Sequence, residues 1–173
     1  MKSSWTERLK QPAVRFVAGF IAIVIVFNLF LAIAWVDENL IHPYTQFITA
    51  VSANILVAGG YDDLDWQGTI IRTGRFAVDI RRGCDGVVAT ILLIAACLAF
   101  PASWKQRLIG TGLGFLLIFL LNQVRIVVLF VLGDQGAMNL FEFVHTYVAQ
   151  FAVIALTMVF WVYWAGRQKP VYS

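Results

Sequence analysis

The chain has 173 residues, 60% of them hydrophobic and only 13% charged, and a mean hydropathy of +0.78, which excludes an ordinary soluble domain. This is the composition of an integral membrane protein, with room for one domain, 1–173, of roughly four to six spans of about 20 residues each. The formal charge of +3 comes from basic residues at helix ends without a long basic run, so no nucleic-acid partner is expected.

The first apolar run, 16–36, follows a basic head containing Lys2, Arg8, Lys10 and Arg15. Trp35, Asp37 and Glu38 stand where a small-residue cleavage site would be needed, so the run reads as a retained anchor. Further spans are expected at 86–104, where Pro101 follows the apolar run; at 108–132, broken only by Asn122 and Arg125; and at 145–164. Together they predict an all-α bundle of four transmembrane helices.

Lys and Arg favour cytoplasmic loops. The head, the loop with Lys105 and Arg107, and the tail with Arg167 and Lys169 are basic, so both termini are expected in the cytoplasm. The loop from Asp37 to Asp85 and the loop 133–144 then face outward. Placing 43–58 across the membrane would put Lys105 and Arg107 outside; this stretch, with Pro43, Gln46, Ser52 and Asn54, is therefore expected as an amphipathic or re-entrant helix on the outer face. The aromatic belt agrees, with Trp5, Trp104, Trp161 and Trp164 near the inner interface and Trp35, Tyr44 and Tyr147 near the outer one.

Along 68–81, Phe76, Val78 and Ile80 alternate with Arg75, Ala77, Asp79 and Arg81, and Thr73-Gly74 offers a tight turn. The period of two predicts a small extracytoplasmic β-hairpin. It leads directly into Arg82-Gly83-Cys84-Asp85-Gly86.

At 1.5 Å rise per residue, Cys84 lies about 25 Å from Pro101, and Arg125 about 27 Å from Arg107. Both reach the outer part of a hydrocarbon core about 30 Å thick, where His145 opens the last span. Cys84 precedes a helix start beside Arg81 and Arg82, and positive charge with the helix dipole favours the thiolate, whereas Asp85 opposes it. By itself Cys84 reads equally as a small residue filling a helix-start gap. Cys97, among Ile94, Ala95, Ala96 and Leu98, reads as inert packing.

Arg125 is the most telling single residue, because a charge inside an apolar span costs at least ~2.5 kcal/mol and marks a paired or functional group, unless it snorkels to the headgroups. Asn122 lies three residues earlier on the same helix face. A thiol, a guanidinium and an imidazole at one depth support acyl transfer: sulfur attacks a carbonyl, Arg125 stabilises the oxyanion, and His145 protonates the leaving amine. Water and an amine are equally open as the resolving nucleophile.

Gly83-Cys84-Asp85-Gly86 at the start of a span, Asn122-Gln123-Val124-Arg125-Ile126 late in the next, and His145 entering the last resemble the exosortase/archaeosortase family of membrane cysteine transpeptidases. The resemblance runs from Val14 to Trp164. The compact length and Ala99-Phe100-Pro101-Ala102-Ser103-Trp104 followed by Arg107 are most similar to the exosortase H subgroup.

The resemblance implies a peptidase or transpeptidase at the outer face of the bacterial inner membrane, with Cys84 as nucleophile, Arg125 as transition-state stabiliser, His145 as acid/base and Asn122 orienting Arg125; Arg81 and Arg82 are expected in support by their charge beside the thiol. Its partners would be the lipid bilayer and exported proteins bearing a C-terminal motif, a transmembrane helix and a basic tail. The subgroup implies an Ile-Pro-Thr-Leu type of motif with a nearby Trp-Gly, in place of the Pro-Glu-Pro type. The sequence departs from the pattern at Asp85, where a small or amide residue is expected, and at Val88, where the subgroup has an acidic one.

No cofactor or metal is expected, since Cys84 and His145 alone are short of a ligand set. A dithiol oxidoreductase is disfavoured: thirteen helical residues separate Cys84 from Cys97, about 20 Å, against a limit of about 7 Å for a disulfide. The remaining alternative is a non-catalytic assembly or scaffold protein in which Arg125 pairs with Asp85 or Glu142.

Overall fold

The computed structural model describes residues 12–168; Lys2, Trp5, Arg8, Lys10 and Lys169, placed above by charge and aromatic bias, lie outside them. The helices are α1 (Pro12–Leu31), α2 (Ala34–Val36), α3 (His42–Ala58), α4 (Val87–Ala99), α5 (Trp104–Asp134), α6 (Met138–Phe143) and α7 (Ala149–Gly166). Two five-residue π-helical stretches, Asp37–Ile41 and Val144–Val148, join α2 to α3 and α6 to α7 without a break.

Among the described residues three helical segments are long and apolar enough to cross a membrane: Pro12–Leu31, Trp104–Asp134 and Met138–Gly166. Their large apolar side chains, such as Ile25, Leu116, Phe151 and Val159, point outward, as lipid-facing surfaces require. The fourth expected span is shorter than 86–104. Helix α4 covers 13 residues, about 20 Å at 1.5 Å per residue, so four full-length spans are not reached by length alone.

Local chemistry sets the limits of α4. Gly86 precedes it with φ of +76°, a left-handed conformation that glycine adopts without a Cβ clash, and Phe100-Pro101 ends it in extended backbone. Arg107 then reaches back to donate to the carbonyls of Leu98 (2.8 Å) and Ala102 (2.9 Å), which satisfies open acceptors at the helix end. Ser103 and Gln106 form a reciprocal capping box that starts α5. The bundle is knitted at this end by Leu93, Cys97, Ala102, Ile118 and Trp164.

Helix α3 packs along the far half of α5 and buries three of its polar residues with Ile48, Ala53 and Leu56, while His42, Gln46 and Asn54 stay exposed. Thr45, Thr49 and Ser52 are buried while Phe47, Ile55 and Val57 are exposed. The two threonine hydroxyls return to carbonyls four residues back, and Ser52 donates to Gln123 Oε1 at 2.6 Å. Tyr44 lies against Phe115 and Phe47 stacks on Phe119, so part of the polar content of 43–58 is held between helices.

The expected hairpin is the second half of a three-stranded antiparallel sheet, β1 (Asp65–Gln67), β2 (Ile70–Arg72) and β3 (Ala77–Asp79), in the order β1-β2-β3. Ile71 pairs with Val78. Ile71 and Ile80 are buried against Ile126 and Phe130, with Phe76 and Val78 beside them, while Arg75, Ala77, Asp79 and Arg81 are exposed. The connection is a four-residue turn in which the Thr73 hydroxyl accepts from the N–H of Arg75 and Phe76 and donates to buried Asp134 at 2.6 Å. Arg75 adds a 3.3 Å ion pair to the same carboxylate. Phe76 lies so close to Gly133 that a Cβ there would enter its ring, and this contact seats the sheet on the end of α5.

Candidate active site

The sheet delivers the chain into a short loop, Arg81 to Gly86, wrapped around one carboxylate. Asp85 is 1% exposed, and its Oδ1 accepts from the N–H of Gly83 (3.3 Å) and of Val87 (3.1 Å). The Cys84 N–H donates to the Arg81 carbonyl at 2.9 Å. Gly86 is further pinned from below, because a Cβ on it would touch Ile118 and Asn122 at about 3.4–3.6 Å. Asp85 thus has a structural use: its side chain is the loop's internal brace.

Cys84, half-buried by this wrapping, faces Arg125 on α5. The guanidinium approaches the sulfur at 3.7 Å through Nη2 and the Gly83 carbonyl at 3.5 Å through Nη1. Among the described residues no carboxylate pairs with Arg125: the ion pairs are Arg72–Asp65, Arg75–Asp134, Arg81–Asp79 and Arg82–Asp37. Asp85 is committed to backbone donors and Glu142 is exposed. A half-buried guanidinium without a carboxylate, set in an otherwise apolar helix, is costly unless something nearby uses its charge.

His145 lines the same pocket, a cavity of about 340 Å³ walled by Ile80 and Arg81 on the sheet side and by Ile126, Leu129 and Phe141 on the helix side, with Cys84 and Arg125 between. The imidazole sits in the Val144–Val148 π-helical stretch, a wider turn that re-aims side chains and recurs at functional sites. It stacks on Phe141 with ring centroids 5.8 Å apart and planes at 8°. Its Nδ1 is buried without a hydrogen-bond partner among the described residues, as is Arg125 Nε. The three residues singled out by depth therefore share one cavity.

The supporting residues divide. Arg81 lines the cavity but its guanidinium is held by Asp79 at 2.7 Å. Arg82 turns away to the Leu31 carbonyl (2.6 Å) and Asp37 (3.5 Å), tying the loop to the end of α1. Asn122 is buried beneath Gly86, its Nδ2 has no partner among the described residues, and no hydrogen bond links it to Arg125. Arg125, not Arg81 or Arg82, is the cation at the sulfur. Both cysteines are free thiols, and Cys97 is fully buried in the opposite core cluster. Among the described residues, no three His, Cys, Asp or Glu side chains gather at metal-binding separation.

Sequence reasoning missed two contributors. Phe141, four residues before His145 in a continuous helix, carries the i,i+4 signal of a stacking partner. Asp134, which clamps the hairpin turn, reads in sequence only as a polar residue ending a span.

The fold and the cavity define a membrane-embedded helical protein with a cysteine, an arginine and a histidine gathered beneath a small sheet. The family model described as transmembrane exosortase (Exosortase_EpsH) matches residues 9–163. The chain belongs to the transmembrane exosortase family. No curated protein and no solved structure gives a significant match.

Proposed function

We propose that this protein is a cysteine-dependent sorting peptidase or transpeptidase, cleaving the C-terminal signal of exported proteins at the outer face of the cytoplasmic membrane. The observation that carries the reading is the approach of the unpaired Arg125 guanidinium to Cys84 Sγ in a cavity that also holds His145. In the proposed reaction His145 takes the thiol proton and Cys84 attacks the scissile carbonyl. Arg125, a fixed two-pronged donor in a low-dielectric wall, stabilises the oxyanion. His145 returns the proton to the leaving amine, and a thioester forms on Cys84. Water or an amine then attacks the thioester and restores the thiol.

In this reading Asp85, Phe141 and the sheet hold the reacting groups rather than touch the substrate carbonyl, Arg81 and Arg82 act through their ion pairs, and both termini lie in the cytoplasm. The substrate's transmembrane helix docks laterally, bringing its motif to the Cys84 end. Replacing Cys84 with Ala tests it: processing of a co-expressed protein bearing motif, apolar helix and basic tail is expected to stop. Unchanged processing would favour the scaffold reading.

A further inference from the structure

Strand β3 is an edge, and its free side borders the cavity of Cys84, Arg125 and His145. Two bonds fix which groups face which way: the Ile80 N–H donates to the Thr69 carbonyl (2.9 Å) and the Thr73 N–H to the Phe76 carbonyl (2.8 Å). In an antiparallel pair such positions alternate, so with Ile71 opposite Val78, residues 76, 78 and 80 turn their backbone groups toward β2. Ala77 and Asp79 turn theirs outward. Among the described residues nothing pairs with the N–H or C=O of either one. An open edge of this kind is a template for another extended chain and is ordinarily covered or blunted.

This edge runs straight into the nucleophile. Val78, Asp79, Ile80 and Arg81 line the cavity together with Cys84 and Arg125. From Ala77 to Arg81 is four residues, about 13 Å at ~3.3 Å per residue. The geometry points to β3 as the docking strand for the substrate: the segment to be cut adds to Ala77 and Asp79 as a fourth, extended strand, and its scissile carbonyl is carried on to Cys84 Sγ beside Arg125.

The occupant is an extended peptide because only an extended chain offers alternating N–H and C=O groups in plane with the edge; a helix has used its own. Alternate side chains of the added strand point into the cavity toward Ile126, Leu129 and Phe141, so the pocket selects an apolar residue there. The Asp79 and Arg81 side chains are exposed and paired with each other at 2.7 Å. This inference rests on the peptidase reading of Cys84 and adds to it how the substrate is held.

The test is Ala77→Pro in the full-length protein in membranes. Proline deletes one outward N–H, which the β2–β3 ladder does not use, and is tolerated on edge strands. Processing of a co-expressed protein with motif, apolar helix and basic tail is followed by pulse-chase, and site integrity by the rate of Cys84 alkylation with iodoacetamide. The expected result is processing slowed about tenfold, the scale of one lost interfacial hydrogen bond, with alkylation unchanged within twofold. Wild-type processing by Ala77→Pro, while Cys84→Ala is inactive, would overturn the docking strand and leave the peptidase reading intact. Normal processing by Cys84→Ala would overturn both. If Ala77→Pro fails to accumulate or alters alkylation, an amide-to-ester replacement at residue 77 removes the same N–H without the ring and is judged by the same two outcomes.

Discussion

Arg125 stands 3.7 Å from the sulfur of Cys84, and no carboxylate among the described residues neutralises it. If its task is to hold the oxyanion, Arg125→Gln should slow processing about 10²–10³-fold, the loss typical of removing one oxyanion donor. Arg125→Lys keeps the charge but loses the planar fork and should fall between. Pulse-chase of a substrate protein at matched membrane levels checks both; near-normal processing by Arg125→Gln would remove arginine from the chemistry.

Asp85 joins Gly83 and Val87 through one oxygen and leaves Oδ2 without a partner. Asp85→Ala strips both backbone donors of their acceptor and should cost about 1.5–3 kcal/mol. Asp85→Asn can keep Oδ1 as acceptor and place its amide where Oδ2 was. Asp85→Asn should therefore keep the thermal midpoint in detergent near that of the wild type, whereas Asp85→Ala lowers it. An equal loss in both variants would show that the loop is not braced through Oδ1.

Gly133 is the seat of the Phe76 ring. Gly133→Ala should push that ring away and destabilise the sheet end by about 1–3 kcal/mol, the usual cost of overpacking. The thermal midpoint in detergent should drop, and trypsin should cut at Arg72 and Arg75 sooner. An unchanged midpoint and unchanged cleavage would mean that the sheet sits on α5 without this contact.

The Asp79 carboxyl lies below its ordinary range because the Arg81 guanidinium, then the Thr69 hydroxyl, hydrogen-bond its charged form. A carboxyl lowered on folding contributes stability above its unfolded value of 3.8, and that contribution is lost as pH falls through the lower folded value. The group is solvent-exposed and screened, so its effect is small. Amide exchange in 77–81 should show no Asp79-dependent change between pH 7 and pH 5, and Asp79→Asn should abolish whatever loosening appears below pH 3.8. Loosening already present at pH 6 in the wild type and absent in Asp79→Asn would contradict this.

Much of the fold could be read from residue patterns, and the remainder was hidden for identifiable reasons. The alternation from Arg75 to Arg81 marked β3, since one face is buried and the other wet. Strand β1 escaped because all three of its residues are exposed, which leaves no period to detect. The extent of α4 was overestimated because apolar content continues past Ala99, whereas the helix stops where the residue before Pro101 turns extended. In α3 the polar residues divide, Thr45, Thr49 and Ser52 buried and His42, Gln46 and Asn54 exposed, so composition suggested an interfacial helix without indicating which polar groups touch α5.

At the site, counting residues along helices was enough to nominate Cys84, Arg125 and His145, because depth in a membrane is nearly one-dimensional. Direction around the helix axis was not available that way. It is direction that turns Arg82 toward Leu31, buries Asn122 under Gly86 and stacks Phe141 on His145.

The central claim is that Cys84 carries the acyl group. The most direct measurement is peptide mapping by mass spectrometry after membranes containing the protein and a processed substrate are quenched in acid. A hydroxylamine-labile adduct of the substrate's N-terminal fragment on the Cys84 peptide, absent in Cys84→Ala, is the predicted result. Continued processing by Cys84→Ala with no adduct on that peptide in the wild type would contradict the account.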